Sequence, residues 1–214
     1  MVKNYESLRD YVYKYISDKI QSGELQANQK ISEAEICNDL SISRTPAREA
    51  LIKLASDNLI EYAPRRGFFV KEVSLKEKLD VYSVLACLDG FAAALAMDKM
   101  KDEDFKEMEI SIGKIDLAIE NKDYTLYNKL QFGFHDVYIN KCDNEKLIEM
   151  INTLEHSFMP VTYANKNPEV LFQILKDVNK EHKKIIELFK KGDSRELEYF
   201  LRDVHWATKD LDMV

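Results

Sequence analysis

Apolar residues recur every three or four positions along most of the chain, a spacing that predicts amphipathic helices. A first helix is predicted over residues 5–22 and ends at Gly23, its inward stripe formed by Leu8, Val12, Ile16 and Ile20. From Ser74 onward strand signals vanish. The pattern there predicts six helices with short connections, which is typical of an antiparallel bundle, near residues 75–99, 102–121, 123–142, 144–164, 168–191 and 193–212.

Two short helices are predicted between these regions. Ser32 precedes the first, and Glu35 follows at capping-box spacing. Ser43 is expected to cap the second with its hydroxyl, and Pro46 falls in the first turn, where a missing N–H costs little. The turn between them has the length of a helix-turn-helix motif.

The second of these short helices has an apolar face and an opposite basic face. Arg44, Thr45, Arg48 and Ile52 lie on the latter. Two guanidiniums one turn apart suit bidentate contacts to guanine or phosphate. By itself, the pattern is equally typical of an ordinary helix with a solvated basic face.

A β-hairpin is predicted after this helix. Strand-like runs at 59–62 and 68–71 flank the sequence Pro-Arg-Arg-Gly at 64–67. The arginines at its tip could reach DNA phosphates or the minor groove. We therefore expect a mainly α protein, with a winged helix-turn-helix domain of three helices and a hairpin wing in residues 1–73 and the helical bundle in 74–214.

Charge is distributed unevenly along the chain. The net charge is −7. Residues 1–70 carry ten basic and ten acidic groups, so the whole excess of acid lies in the remainder. Residues 40–70 carry five basic and three acidic groups. A local positive region beside an acidic remainder favours selective rather than indiscriminate DNA binding.

The cysteines and the longest apolar runs indicate the cellular compartment in which the protein acts. Three scattered cysteines do not form a disulfide framework. The longest apolar runs, such as residues 91–97, are too short to cross a bilayer, and no signal peptide is evident. We expect a cytoplasmic protein without a membrane partner.

Three of the four histidines fall on different predicted helices near apolar faces: His135, His182 and His205. If the three faces converge, their imidazoles could hold a divalent ion such as zinc, nickel or manganese. The alternative is three separate histidines that are hydrogen-bonded in the core, and periodicity alone favours it. His156 has no counterpart in this pattern.

The first 70 residues resemble the winged-helix domain of GntR-family transcription regulators. The matching segments are Ile-Gln-Ser-Gly-Glu-Leu at 20–25, Lys-Ile-Ser-Glu at 30–33, Ser-Arg-Thr-Pro-Ala-Arg-Glu-Ala-Leu at 43–51 and Pro-Arg-Arg-Gly-Phe-Phe-Val at 64–70. The resemblance implies that DNA is contacted by Arg44, Thr45, Arg48, Arg66 and Gly67. Many such regulators have a further arginine where this chain has Ala34.

Residues 75–212 resemble the FCD ligand-binding domain of FadR-type members of that family. Phe134-His135, Glu181-His182, Gly192-Asp193 and His205 carry this likeness. It implies that a divalent metal binds to the three histidines, and that small organic acids bind at or beside it. A family aspartate, a fourth ligand, is replaced by Gln131, whose neutral oxygen is a weaker ligand.

A second departure from the family lies in the first helix of the bundle. Leu85 stands where an arginine often precedes an acid, here Asp89, by four residues. The expected effector pocket includes Leu85, Asp89 and Gln131. Because it lacks an arginine to pair with a carboxylate, this departure favours a more apolar effector over a simple dicarboxylate or sugar acid. Asp89 could alternatively orient a histidine.

The expected function is a sequence-specific DNA-binding regulator, a repressor by default, that acts as a homodimer on a pseudo-palindromic operator. A small-molecule effector, an organic acid by resemblance, would control it with the help of a divalent metal. One alternative is a metal-free sensor of the same fold. Another is a metal-dependent hydrolase, which the lack of a general base or nucleophile motif disfavours.

Overall fold

A computed structural model describes residues 7–21, 23–158 and 168–207. The chain forms two compact units. One comprises the described residues up to Ser74 together with the last turn of the seventh helix from Glu155, and the other begins at Leu75. The predicted division after residue 73 lies one residue from this boundary.

The first unit contains three helices and a small sheet. The helices are α1 (Leu8–Gln21), α2 (Glu33–Leu40) and α3 (Arg44–Ser56). The strands are β1 (Lys30–Ile31), β2 (Ile60–Ala63) and β3 (Gly67–Val70), and they form an antiparallel sheet in the order β1-β3-β2. The hairpin of β2 and β3 is the predicted wing, whereas β1 is too short to give a sequence signal and was not predicted.

Most of the apolar positions predicted from the sequence form the core of the first unit. Val12, Ile16 and Ile20 of α1 are buried, and so is the apolar face of α3. Leu8 was predicted to belong to the same stripe, but it is the first residue of α1 and is 58% exposed, so that prediction was wrong. α1 packs against α3, and the sheet contributes Phe68 and Val70. Burial of these side chains on one face leaves the opposite face of α3 in solvent.

Two helix starts use serine differently. The Ser32 hydroxyl accepts a hydrogen bond from the Glu35 N–H, as predicted. Ser43 occupies the N-cap position of α3, but its side chain makes no capping bond, so that prediction was wrong. The reason lies in Pro46, which occupies the third helical position and has no N–H to donate.

The wing turns sharply between its two strands. Tyr62 pairs with Phe68 and Ala63 with Gly67. Arg65 and Gly67 both have positive φ, at 64° and 101°. The φ of Gly67 is one that residues with a Cβ rarely adopt, which explains glycine at the end of the turn.

The second unit contains the six predicted helices, except for the last turn of the fourth of them, which belongs to the first unit. They are α4 (Leu75–Ala96), α5 (Asp102–Glu120), α6 (Tyr124–Ile139), α7 (Glu145–Phe158), α8 (Pro168–Lys191) and α9 (Ser194–Phe200). α5 packs against α6 and α8, and α4 packs against α6 and α9. The predicted parts of α7 beyond Phe158 and of the last helix beyond residue 207 lie outside the described residues.

The last helix differs from its prediction. α9 ends at Phe200 and continues as a π-helical turn over Leu201–His205, in which the Trp206 N–H donates to the Leu201 carbonyl. Such a turn inserts an extra residue into the helical register. Consecutive residues His205 and Trp206 are consequently both buried.

Helix α4 is the most apolar of the bundle. Together with the 3₁₀ turn after it, over Leu75–Lys99, it is long and apolar enough to cross a membrane by length and composition alone. The sequence predicts that every apolar run is too short to cross a bilayer, and this prediction therefore missed this segment. Of the apolar window in this segment, 39% is buried inside the structure. The buried residues include Leu85, Asp89 and Ala93, and Gly90 allows close approach of the Glu198 backbone.

Candidate functional site

Three histidines from separate parts of the chain meet inside the helical unit. His135 comes from α6, His182 from α8 and His205 from the π-helical turn. All three are buried, and one nitrogen of each lies within 4.8 Å of the others. The structure thus brings together the three histidines that the sequence could only place on apolar faces.

The Nε2 atoms form the inner side of this cluster. Those of His135 and His205 are 3.2 Å apart. Two imidazoles that bind one tetrahedral ion at about 2.0–2.1 Å hold their nitrogens about 3.3 Å apart. The Nε2 atom of His182 is buried and has no hydrogen-bond partner within the described ranges. A buried nitrogen without a partner is costly unless a ligand uses its lone pair.

Asp89 of α4 holds the outer side of His135. Its carboxylate lies 3.1 Å from His135 Nδ1 and accepts hydrogen bonds from the Tyr138 hydroxyl and the Trp206 indole. The Tyr138 oxygen is also 2.6 Å from His135 Nδ1. With the Tyr138 proton directed to Asp89, both neighbours of Nδ1 are acceptors, so Nδ1 carries the ring proton.

Asn179 fixes His182 in the same way. Its amide nitrogen donates to the Asp116 carboxylate at 2.7 Å and to the Ile112 carbonyl at 3.2 Å. These two acceptors define which end of the amide is NH₂. The Asn179 oxygen therefore faces His182 Nδ1, 2.8 Å away, and accepts its proton.

Glu181 completes the set at His205. Its carboxylate lies 3.0 Å from His205 Nδ1. In all three rings, the outer nitrogen thus has an acceptor and the inner Nε2 presents a lone pair. Metal-binding histidines generally have this arrangement, in which an outer hydrogen bond fixes the tautomer and the orientation of the ring.

The pKa values of these groups reflect their burial. Desolvation, with the adjacent His205 and His135, moves the pKa of His182 well below its usual value. Desolvation also lowers the pKa of His205, although Glu181 opposes the shift. Burial would raise the pKa of Asp89, but His135 and the hydrogen bonds from Tyr138 and Trp206 outweigh it and hold that pKa below its usual value. A neutral His182 is the form that binds metal.

The residues predicted to line an effector pocket have different surroundings. Asp89 is fully buried, and both of its oxygens accept hydrogen bonds from other side chains, so it orients His135 and has no oxygen directed to an effector. Leu85 is packed in the core of the helical unit. Gln131 is buried on α6, one turn before His135. Contact of Leu85 or Gln131 with an effector stays a prediction.

The supporting residues of the cluster were largely missed from the sequence. They are Tyr138, Asn179, Glu181 and Trp206. Their spacing offered a signal, since Tyr138 and Asn179 each lie three positions, about one helical turn, from a histidine. The π-helical turn that brings Trp206 inward gave no such signal. The side chain of His156 lies outside the described residues.

The predicted DNA-contacting residues lie on the surface of the first unit. Arg44, Thr45 and Arg48 are exposed on α3. Arg66 is exposed in the wing, where its guanidinium lies over the Phe69 ring, 5.1 Å from the centroid. Among the described residues, no acidic side chain forms an ion pair with these arginines, which leaves their charge available to an anionic partner.

Comparison with known proteins supports both halves of this description. Residues 8–70 match the family described as bacterial regulatory proteins, gntR family, and residues 80–204 match the FCD domain. The chain is 25% identical over 183 residues to an uncharacterised HTH-type transcriptional regulator, YdhC, of Bacillus subtilis. This match covers 84% of the chain and 79% of YdhC. It is 23% identical over 172 residues to the HTH-type transcriptional repressor RspR of Escherichia coli, with 78% and 75% covered.

Two solved structures share the fold. E. coli McbR/YncC superposes with a TM-score of 0.80 at 22% identity, over 97% of this chain and 96% of that one. A GntR regulator from Rhodococcus sp. RHA1 gives a TM-score of 0.78 at 17% identity, over 96% of each chain. The two family matches together span most of the sequence. The chain therefore belongs to the GntR family of bacterial regulators with a C-terminal FCD domain, and it is a DNA-binding transcription regulator rather than an enzyme.

Proposed function

We propose that this regulator senses a small-molecule effector through a divalent metal ion held by His135, His182 and His205. The observation that carries the proposal is that three buried imidazoles each bring a nitrogen within 4.8 Å of the others, while the Nδ1 atom of each ring faces an acceptor. Zinc, nickel and manganese all accept imidazole ligands. The metal would supply a positive charge to which an organic acid could bind.

The charges around the cluster fit a divalent cation. Asp89 and Glu181 lie one hydrogen bond behind the imidazoles, and each contributes one negative charge when ionised. Gln131 contributes none. An ion bound by three neutral imidazoles keeps its full charge among its direct ligands, which favours an effector that carries a carboxylate.

On DNA, the proposal is a homodimer that represses transcription from a pseudo-palindromic operator. Each α3 would enter the major groove of one half-site, with Arg44 and Arg48 directed to bases and phosphates, and the wing would contact the backbone. We expect such a protein to act in the cytoplasm. Its apolar helix α4 would then pack in the helical unit and not in a membrane. An effector changes operator affinity only by the difference in its own affinity for the free and DNA-bound forms.

A metal-free sensor of the same fold is the second candidate. Gln131 favours it, because a neutral amide replaces a charged ligand in this helix. In that case the Nε2 atoms of His135 and His205, which lie 3.2 Å apart, would share one proton in a hydrogen bond.

One titration separates the two candidates. A duplex selected from a randomised pool by the wild-type protein is labelled, and binding is followed by fluorescence anisotropy. The protein is tested as purified, after dialysis against chelator and after zinc is restored, each with a panel of small organic acids. Metal-assisted sensing predicts that one acid changes DNA affinity only in the metal-containing samples. A response that survives removal of the metal would establish the metal-free sensor.

The dimer needs its own measurement. Sedimentation equilibrium of the free protein and of its complex with the selected duplex gives the number of chains in each. We expect two chains on a duplex whose half-sites lie one helical turn apart. One chain bound at saturation would contradict the proposed homodimer.

A further inference from the structure

An isoleucine lies among the polar residues of the DNA-facing surface of α3. The side chain of Ile52 is 56% exposed, although its neighbours Leu51 and Leu54 are completely buried. Isolated apolar residues are common on protein surfaces and need no explanation by themselves. The place of Ile52 on this helix is what distinguishes it.

The turn of the helix puts Ile52 within the basic face. At about 100° per residue, Arg48 lies about 40° and Ile52 about 80° around the axis from Arg44, while Thr45 lies at about 100°. Ile52 thus falls between Arg48 and Thr45, opposite the buried face. Along the axis, Ile52 lies about one turn beyond Arg48, so a surface that follows this face of the helix past Arg48 also covers Ile52.

The major groove offers a single apolar group to such a side chain. Among the base edges, only thymine presents a methyl group there, at C5. The arginines donate hydrogen bonds to acceptors on guanine and phosphate, and they cannot recognise this methyl group. Ile52 lies about 6 Å along the helix from Arg48. For a recognition helix that follows the groove, this distance corresponds to about two base steps.

We propose that Ile52 recognises the C5-methyl group of a thymine in each half-site, about two base pairs from the base that Arg48 contacts. Burial of the isoleucine side chain against the methyl group removes apolar surface from water. Ile52 is therefore a specificity-determining residue that complements the polar contacts of Arg44, Thr45 and Arg48.

The test replaces thymine with deoxyuridine, which differs only in the missing methyl group. A duplex selected from a randomised pool by the wild-type protein is substituted at one symmetric pair of thymines at a time. Affinities are measured for wild type, for Ile52→Ala and for Ile110→Ala, a control isoleucine on α5 that is 59% exposed.

One thymine pair should stand out. For wild type and Ile110→Ala, its replacement by uracil should weaken binding about fourfold per half-site, the value expected for loss of one buried methyl group. For Ile52→Ala the same replacement should have no effect. The proposal is overturned if no pair of thymines shows this sensitivity in the wild type, or if Ile52→Ala retains it unchanged.

Discussion

The Nε2 atoms of His135 and His205 lie 3.2 Å apart, while the Nδ1 atoms of the same rings face Asp89 and Glu181. Two buried lone pairs repel at this distance unless a cation lies between them or beside them. The Nε2 atom of His182, which has no hydrogen-bond partner in the part of the chain that the structure describes, adds a third lone pair. A divalent metal satisfies all three nitrogens, whereas one shared proton satisfies two.

Removal of an outer hydrogen bond should weaken metal binding without loss of a ligand. Asn179→Ala frees the His182 ring to rotate, and Asp89→Asn removes the charged acceptor behind His135. Each change should lower zinc affinity by about 10- to 100-fold. Competition with a chromophoric chelator measures the effect, and Glu187→Gln, a surface change on α8, serves as the control. Wild-type affinity in both variants would show that these bonds do not position the ligands.

Loss of Arg48 should weaken operator binding. Its exposed guanidinium on α3 suits a bidentate base contact, so Arg48→Ala should cost about 1–3 kcal/mol of specific binding free energy. Lys114→Ala on α5 makes the same change of net charge in the helical unit and should leave affinity unaltered. Equal affinities of wild type and Arg48→Ala for the selected duplex would remove Arg48 from the DNA interface.

The two faces of α3 should respond differently to truncation. Leu54 is fully buried, so Leu54→Ala should lower the free energy of unfolding by about 2–5 kcal/mol through lost burial and a cavity. Ile52→Ala on the exposed face should change it by less than about 0.5 kcal/mol. Urea unfolding followed by circular dichroism measures both. A large loss for Ile52→Ala would mean that its role is structural.

Mild acid should destabilise the metal-free protein through His182. The pKa of His182 is lower in the folded state than in the unfolded state. The stability that the neutral imidazole contributes is therefore fully present above the unfolded pKa of 6.5. Below that value the unfolded chain takes up a proton that folded His182 resists, and stability is lost as pH falls. Between about pH 7 and about pH 5.5, the urea midpoint of chelator-treated wild type should therefore fall more than that of His182→Gln. Parallel losses in both proteins would contradict this assignment.

Local sequence patterns determined much of the architecture in advance. The spacing of apolar residues every three or four positions predicted α1 and α4–α8, and the Pro-Arg-Arg-Gly sequence predicted the wing turn, because each pattern depends on neighbours within a few residues. The capping bond of Ser43 was wrong because Pro46 removes the donor. The small strand β1 depends on pairing with the distant β3, which periodicity cannot reveal.

The candidate site was only partly predictable for the same reason. Resemblance selected the three histidines, but the support from Asp89 and Asn179 depends on contacts between α4 and α6 and between α5 and α8. The π-helical turn before Trp206 shifts the register that a regular helix would predict. The sequence assigned Asp89 to the effector pocket and gave as an alternative that it orients a histidine; its carboxylate contacts His135, Tyr138 and Trp206, which agrees with the alternative.

The most direct test of the central claim is the metal content of the untagged protein, purified without chelator, by inductively coupled plasma mass spectrometry. We predict about one divalent ion per chain in wild type and in His156→Ala, and its loss in His182→Ala. Wild-type protein that contains no metal and takes up none on incubation with zinc, nickel or manganese would contradict the metal-assisted sensor.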